Sequence, residues 1–254
     1  MAVKFKGVVV REKDQGEMDK LVQILSDTMG MIHVRAHGVR KISSANARSV
    51  QLFAYSEFVV TEKNGFYTLQ ESTLLSNFYG IREDVVSYAL ACYLCELSSY
   101  VNVGGEEGGE ILRFLLNALY VTEKKMTDPL LIKASYEFRL VSMIGYEPDL
   151  SVCPVCGTPA DQIQNRVFNL SDGYVCCAYC QPESDAYTKV VSLPEPVYRA
   201  CIHILSSSVN KVFLFRLDQP FLQQLAAIAE SYLLIQLDHS FPTLSFFKQT
   251  IQMP

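Results

Sequence analysis

Two pairs of cysteines, Cys153-Pro-Val-Cys156 and Cys177-Ala-Tyr-Cys180, constrain this chain more than any other feature. Each pair sets two thiols on one tight turn, and 20 residues separate Cys156 from Cys177. That spacing belongs to a four-cysteine zinc site, where two such turns complete a tetrahedron of sulfur. Gly157 suits the first turn, where the backbone must fold back toward the sulfurs, and Gln181 stands in the equivalent place of the second. Two redox-active dithiols are the alternative. Zinc is favoured because residues 151–187 hold five cysteines, lose both strand and helix periodicity, and so need a staple in place of a core. With all four ligands cysteine, the site is closed and structural: one Zn2+ held by Cys153, Cys156, Cys177 and Cys180. Cys176 adjoins Cys177 and could replace it, although the two-residue spacing to Cys180 favours Cys177.

The residues before Gly80 read as strands. Lys4 to Val10 is one, and Leu21–Leu25 is a second. Met31–Val39 alternates, with Ile32, Val34 and Ala36 on one face and His33, Arg35 and His37 on the other. Phe53–Thr61 and Phe66–Leu75 flank Asn64-Gly65, the pairing that a type I′ hairpin turn demands. Five short strands in such a length predict a small closed barrel of the OB type. After Gly80 the period becomes helical, over Asp84–Tyr100, Glu110–Val121, Pro129 to Gly145, Glu195–Ser207, Pro220–Leu237 and Thr243–Thr250. A Gly-rich break, Gly104 to Gly109, divides the first two. The fold class is therefore α+β and multi-domain. A five-stranded OB-type barrel occupies 1–80, an α-helical domain 81–150 plus 188–254, and a zinc-ribbon-like four-Cys insertion 151–187. Asp84–Tyr100 is apolar nearly all round, so Leu222, Leu225, Ile228, Tyr232 and Ile235 are expected to cover it. Cys92, Cys95 and Cys201 lie in apolar helical patterns and read as buried free thiols.

The formal net charge is −5, unfavourable for a polyanion partner taken whole. Its distribution is uneven. Residues 1–80 carry 10 Lys and Arg against 8 Asp and Glu, whereas residues 81–254 carry 12 against 19. The barrel is thus the basic part. His33, Arg35 and His37, then Arg40, Lys41 and Arg48, form a basic face and rim, with Lys4, Lys6, Arg11 and Lys13 added from the first strand. Such a patch can track phosphates while aromatic residues stack on bases, or it can be a plain solvated face. No apolar run approaches the ~20 residues of a membrane span. No catalytic motif or phosphate loop occurs, so an enzyme is not expected. Met1–Gly7 lacks the apolar stretch of a secretory leader, and a cytoplasmic location is expected.

Read together, these segments resemble the bacterial recombination mediator family RecO. The resemblance rests on Gly7-Val-Val-Val-Arg11, on Ala36-His-Gly-Val-Arg40-Lys41, and on Glu137 to Ile144 followed by Gly145-Tyr-Glu-Pro148 and then Cys153-Pro-Val-Cys156. Ser245-Phe-Phe-Lys248 resembles the family's closing helix. The resemblance implies a non-enzymatic DNA repair protein, nucleoid-associated during repair. It would bind single- and double-stranded DNA and anneal complementary strands. With RecR it would help load RecA onto DNA coated by single-strand-binding protein, whose acidic C-terminal tail would meet the helical domain. A protein-interaction scaffold and an RNA-binding factor are the alternatives.

Overall fold

The computed structural model describes residues 2–101, 108–182 and 188–252. Strands β1 (Ala2–Gln15), β2 (Asp19–Ser26), β3 (Met31–Ala36), β4 (Tyr55–Lys63) and β5 (Phe66–Ser76) close into a barrel in the order β1-β2-β3-β5-β4. Neighbours are antiparallel except β3 and β5, whose parallel pairing joins Val34 to Tyr67 and Arg35 to Thr68. This is the five-stranded OB-type architecture.

β1 runs longer than its β-branched centre suggests because it serves two partners. Its first half pairs with β4, its second with β2, and a bulge between Val9 and Arg11 bends the strand where the partner changes. Gly7 lies at this handover, where a Cβ would stand 2.6 Å from Ile24 Cγ2 and 2.7 Å from the Leu25 carbonyl. Alternation fills the interior with Phe5, Val9, Val22, Ile24, Ile32, Val34, Ala36, Phe58, Val60 and Leu69. Asn64 and Gly65 both take positive φ, 54° and 78°, as a type I′ turn requires.

Among the described residues six α-helices follow: α1 (Val85–Val101), α2 (Gly108–Glu123), α3 (Pro129–Met143), α4 (Glu195–Ser206), α5 (Gln219–Leu237) and α6 (Pro242–Gln252). The caps match the residues that announce them. Asp84 Oδ2 accepts from Ser87 N at 2.8 Å, and Asp128 Oδ1 accepts from Leu130 N at 2.8 Å with Pro129 in the first turn. Gly145, at φ 95°, follows the end of α3. Most of the Gly-rich break, residues 104–107, lies outside the described residues.

The helices are grouped differently from the expected single helical domain. Two compact units form: Met1–Met126 with Phe241–Pro254, and Thr127–Ser240. In the first, α1 packs against α2, α6 and β1. Phe241 sets its ring edge-on to Tyr93 and Tyr100, at 6.1 and 5.4 Å, and Glu96 Oε2 accepts from the backbone N and the hydroxyl of Thr243. The apolar circumference of α1 is thus covered by the barrel, its sequence neighbour and the closing helix, and α5 is not needed for it. The buried side chains of α5, Leu222, Leu225, Ile228 and Tyr232, accompany its packing against α3 and α4 in the second unit.

α3 is buried over far more than one stripe, from Leu131 through Phe138, and that stretch includes two charges. Lys133 Nζ lies 2.8 Å from Glu137 Oε1 and 2.9 Å from Glu230 Oε2 on α5. Both members of the α3 pair are almost wholly buried. Burial pushes the Lys133 ammonium down, but the two carboxylates outweigh it and hold it above its usual range. Lys133→Ala should therefore lower unfolding stability by about 3–5 kcal/mol, because it strands buried carboxylates. Lys125→Ala, which removes an exposed partner of Asp84 at 3.8 Å, should cost under ~1 kcal/mol. Urea denaturation of both variants checks this. A Lys133→Ala protein as stable as the parent would refute it.

Candidate metal centre and nucleic-acid interface

The metal candidate sits on a three-stranded antiparallel sheet, β6 (Arg166–Asn169), β7 (Tyr174–Cys177) and β8 (Val190–Ser192), ordered β7-β6-β8. The sheet therefore extends past residue 187, the expected end of the insertion. A knuckle precedes it. Cys153 N donates to Thr158 O at 2.9 Å, Gly157 N donates to Cys153 O at 2.9 Å, and Gly157 takes φ 70° with open space around it. A second knuckle continues from β7, where Cys180 N donates to Cys177 O at 2.9 Å and Ala178 N to Asn165 O at 3.0 Å. Gln181 is not left-handed, so a side chain is tolerated there.

The two knuckles bring together the sulfurs of Cys153, Cys156, Cys177 and Cys180, all within 4.8 Å of one another. Cys156 and Cys177 are 3.5 Å apart. Four thiolates on metal bonds of ~2.3 Å would be separated by about 3.8 Å, so this donor set can hold one metal ion. Cys176 is not in the cluster. Successive strand residues point to opposite faces, and Cys176 turns inward to pack with Ile163 in a small apolar cluster. Burial pushes its thiol up to about 11.

Among the clustered thiols protonation is unequal. The Thr158 hydroxyl and backbone N–H lower Cys156 to about 6. Cys177 is pushed up to about 12 and Cys180 to about 11, each first by its hydrogen bond to Cys156. Four thiolates this close repel one another, and a bound cation is what lets all of them ionise. Of the other cysteines, Cys95 and Cys201 are buried, whereas Cys92 is half-buried and lines a cavity of about 590 Å3 with Arg11, Tyr88 and Glu96.

The ribbon is not an independent module. Phe168 on β6 packs against Phe138 of α3 at 6.3 Å and Tyr232 of α5 at 5.3 Å between ring centroids. Tyr232 Oη donates to the Tyr146 carbonyl at 3.0 Å, and a Cβ at Gly173 would strike that hydroxyl at 2.3 Å.

The barrel sorts the basic candidates into three groups. His33 and Arg35 are exposed on β3 opposite the buried Ile32, Val34 and Ala36. Arg11 pairs with Gln23, and Gln23 with His33, so Arg11, Gln23 and His33 form one outward row across β1, β2 and β3. Lys13, Leu21, Arg35 and Thr68 form the next, reaching β5. The Arg35 guanidinium lies 5.0 Å from the centre of the exposed Phe66 ring, and Lys63 pairs with Phe66 across the hairpin. His37 and Arg40 instead pin turns. His37 Nδ1 lies 2.7 Å from Asp19 Oδ2, while Arg40 lies 3.2 Å from Asp14 and donates to Gly16 O at 2.8 Å. A hydrogen bond from the Gly38 N–H, then one from His37, holds the Asp19 carboxyl below its usual range. Lys41 and Arg48 are exposed in the loop after β3. Lys4 and Lys6 do not adjoin the Arg11 row. They lie on the β1–β4 side, where Lys4 pairs with Glu57 at 2.7 Å, and the buried Val8 and Val10 intervene along the strand.

Lys13, which the sequence adds to the basic face from the first strand, completes the outer face together with Lys63 and Phe66, which the sequence reading missed. Their period-two spacing from Arg11 and their place beside Asn64-Gly65 were visible, but only the register brings them to Arg35. The charge also divides by unit. Residues 1–126 with 241–254 hold 15 Lys and Arg against 15 Asp and Glu; residues 127–240 hold 7 against 12.

Two family models cover most of the chain: Recombination protein O N terminal over residues 1–78 and Recombination protein O C terminal over residues 82–245. The DNA repair protein RecO of Acetivibrio thermocellus is 28% identical over 246 residues, 97% of this chain and 96% of that protein. The RecO of Alkaliphilus metalliredigens is 26% identical over 250 residues, 98% and 100%. That of Listeria monocytogenes serotype 4b is 27% identical over 216 residues, 85% and 79%.

The sulfur cluster makes a clear demand of mutants. Cys177→Ser should lose bound metal and loosen the unit that contains α3 and α5, since metal-binding free energy is folding free energy. Cys176→Ser should keep the metal and lose only packing. Elemental analysis with thermal melting distinguishes them, and retention of metal by Cys177→Ser would overturn the ligand set.

Proposed function

The chain belongs to the RecO family of DNA repair and recombination proteins, and on that premise we propose that its barrel binds single- and double-stranded DNA and anneals complementary strands. In this reading it acts without catalysis. With RecR it helps load RecA onto DNA covered by single-strand-binding protein, and one structural zinc on Cys153, Cys156, Cys177 and Cys180 rigidifies the second unit. The zinc supplies no reaction; its ligands tie two turns and a sheet into one body.

The observation that carries the DNA reading is the outer face of β1, β2, β3 and β5. Arg11, Lys13, His33 and Arg35 stand there, with Arg35 against Phe66, and no carboxylate lies within 4.0 Å of Arg11, Lys13 or Arg35 among the described residues. OB-type barrels use this strand face and the adjoining loops for oligonucleotides. Cations meet phosphates by releasing counterions, and Phe66 offers a ring on which any base can stack. The Arg35–Phe66 pair keeps guanidinium and ring together, so one base can meet both.

Arg35→Glu combined with Lys13→Glu should weaken binding of a labelled single-stranded oligonucleotide and slow annealing. The slope of log affinity against log salt should become shallower by about 0.7 for each phosphate that the variant no longer neutralises. Metal content and melting should not change, because both side chains are exposed and pin no turn. Arg40 is unsuited to this test because it holds Asp14 and Gly16. A double variant that binds and anneals like the parent would remove the barrel as the DNA site and leave the scaffold reading in its place.

A further inference from the structure

We propose that Ile42 is an apolar wedge that enters the base stack at a junction between single- and double-stranded DNA, with Lys41 holding the flanking phosphate. This rests on the reading of the barrel as a DNA-binding face and adds to it a preferred substrate and an unstacking step. The loop between β3 and β4 buries Val39, Val50 and Phe53. Ile42 is the exception and is fully exposed. Leu52 is half-buried, so Ile42 alone among the loop's large apolar side chains is left fully in solvent. Its β-branched side chain is stiff and makes no hydrogen bond.

The loop is also held in place. Consecutive turns run through it, from Lys41 N to Gly38 O, Ser44 N to Lys41 O, Ala47 N to Ser44 O and Ser49 N to Asn46 O, at 3.0–3.3 Å. Asn46 Oδ1 accepts from the backbone N and the hydroxyl of Ser72 on β5, at 3.0 and 2.9 Å. On the other side Arg40 N donates to Met18 O at 3.0 Å and the Arg40 guanidinium reaches Gly16 O and Asp14. The segment before Ile42 is thereby stapled to the β1–β2 turn, which presents the half-exposed Met18. Both turns lie at the strand ends next to the Lys13–Leu21–Arg35 row.

Charge selects the occupant. Lys41 has no carboxylate within 4.0 Å among the described residues, and the residues up to 80 carry a positive excess. Lys41 folds its stem over Gly38 and lies in the field of Asp19, yet it is exposed and next in sequence to Ile42. An apolar tip that follows an exposed cation fits a base step between phosphates, the arrangement by which inserted Ile, Leu, Met or Phe side chains kink and unstack a duplex. The cost is least where stacking already ends, so a junction is favoured over a continuous duplex.

The test uses the full-length protein and a forked DNA with 2-aminopurine at the first paired position, beside a single-stranded oligonucleotide. The parent should raise 2-aminopurine fluorescence at the fork. Ile42→Ala should lose at least threefold of that rise, Ile42→Leu should retain it, and affinity of all three for the single strand should agree within twofold. Equal unstacking by Ile42→Ala and the parent would overturn the wedge, as would a parent that binds DNA without unstacking the fork. An equal weakening on fork and single strand would assign Ile42 to general binding and also overturn it. A parent that binds neither DNA would sink the DNA-face reading itself.

Discussion

A five-stranded sheet has two free edges, and the barrel exists because β3 and β5 join them through a short parallel pairing at Val34–Tyr67 and Arg35–Thr68. Closure removes the exposed edges that would otherwise recruit other chains. It also fixes which side of every strand is inside. Once Val34 points inward, Arg35 must point outward, and β5 arrives beside it with Thr68 and, two residues earlier, Phe66. The basic face is therefore a consequence of closing the barrel. The bulge between Val9 and Arg11 extends that face to β1 by turning Arg11 and Lys13 into line with β2.

The second unit depends on two different kinds of glue. The four sulfurs converge from the two knuckles as a site that can hold a metal ion, and Phe138, Phe168 and Tyr232 tie the sheet to α3 and α5. The sheet alone offers a core of little more than Cys153, Ile163 and Cys176. Residues of this number cannot offset chain entropy by burial alone. Sharing an aromatic cluster with the helices answers part of that deficit, and a metal ion on the four sulfurs would answer the rest. The Lys133–Glu137–Glu230 network joins α3 to α5, and its geometry must be maintained because Lys133 and Glu137 are almost wholly buried.

The basic side chains of the barrel divide into those that hold strands or turns together and those that stand exposed without an ion pair. Lys4, Lys20, His37 and Arg40 each face a carboxylate and hold strands or turns together. Arg11, Lys13, His33, Arg35 and Lys41 do not. The net charge of −5 is unevenly placed, since the negative excess resides in residues 127–240, with 7 Lys and Arg against 12 Asp and Glu.

Local rules made much of this protein legible in one dimension. Period-two alternation gave β3, Asn64-Gly65 gave the hairpin, Pro129 and Gly145 gave the bounds of α3, and cysteine spacing gave the cluster, including Cys177 over Cys176. Each is a short-range constraint, set by side-chain direction, φ or thiol spacing. What the sequence left open is long-range. Arg11 and Lys4 look equivalent along β1, yet one faces β2 and the other β4. Lys133 and Glu137 look like a surface i, i+4 pair until α5 brings Glu230 over them. The coverage of α1 went to the barrel, α2 and α6, where the more apolar α5 was expected. Hydrophobic patterning states that a face must be covered and carries no address for the element that covers it, because apolar burial is non-directional. Strand register and helix pairing supply that address, and they exist only in the folded chain.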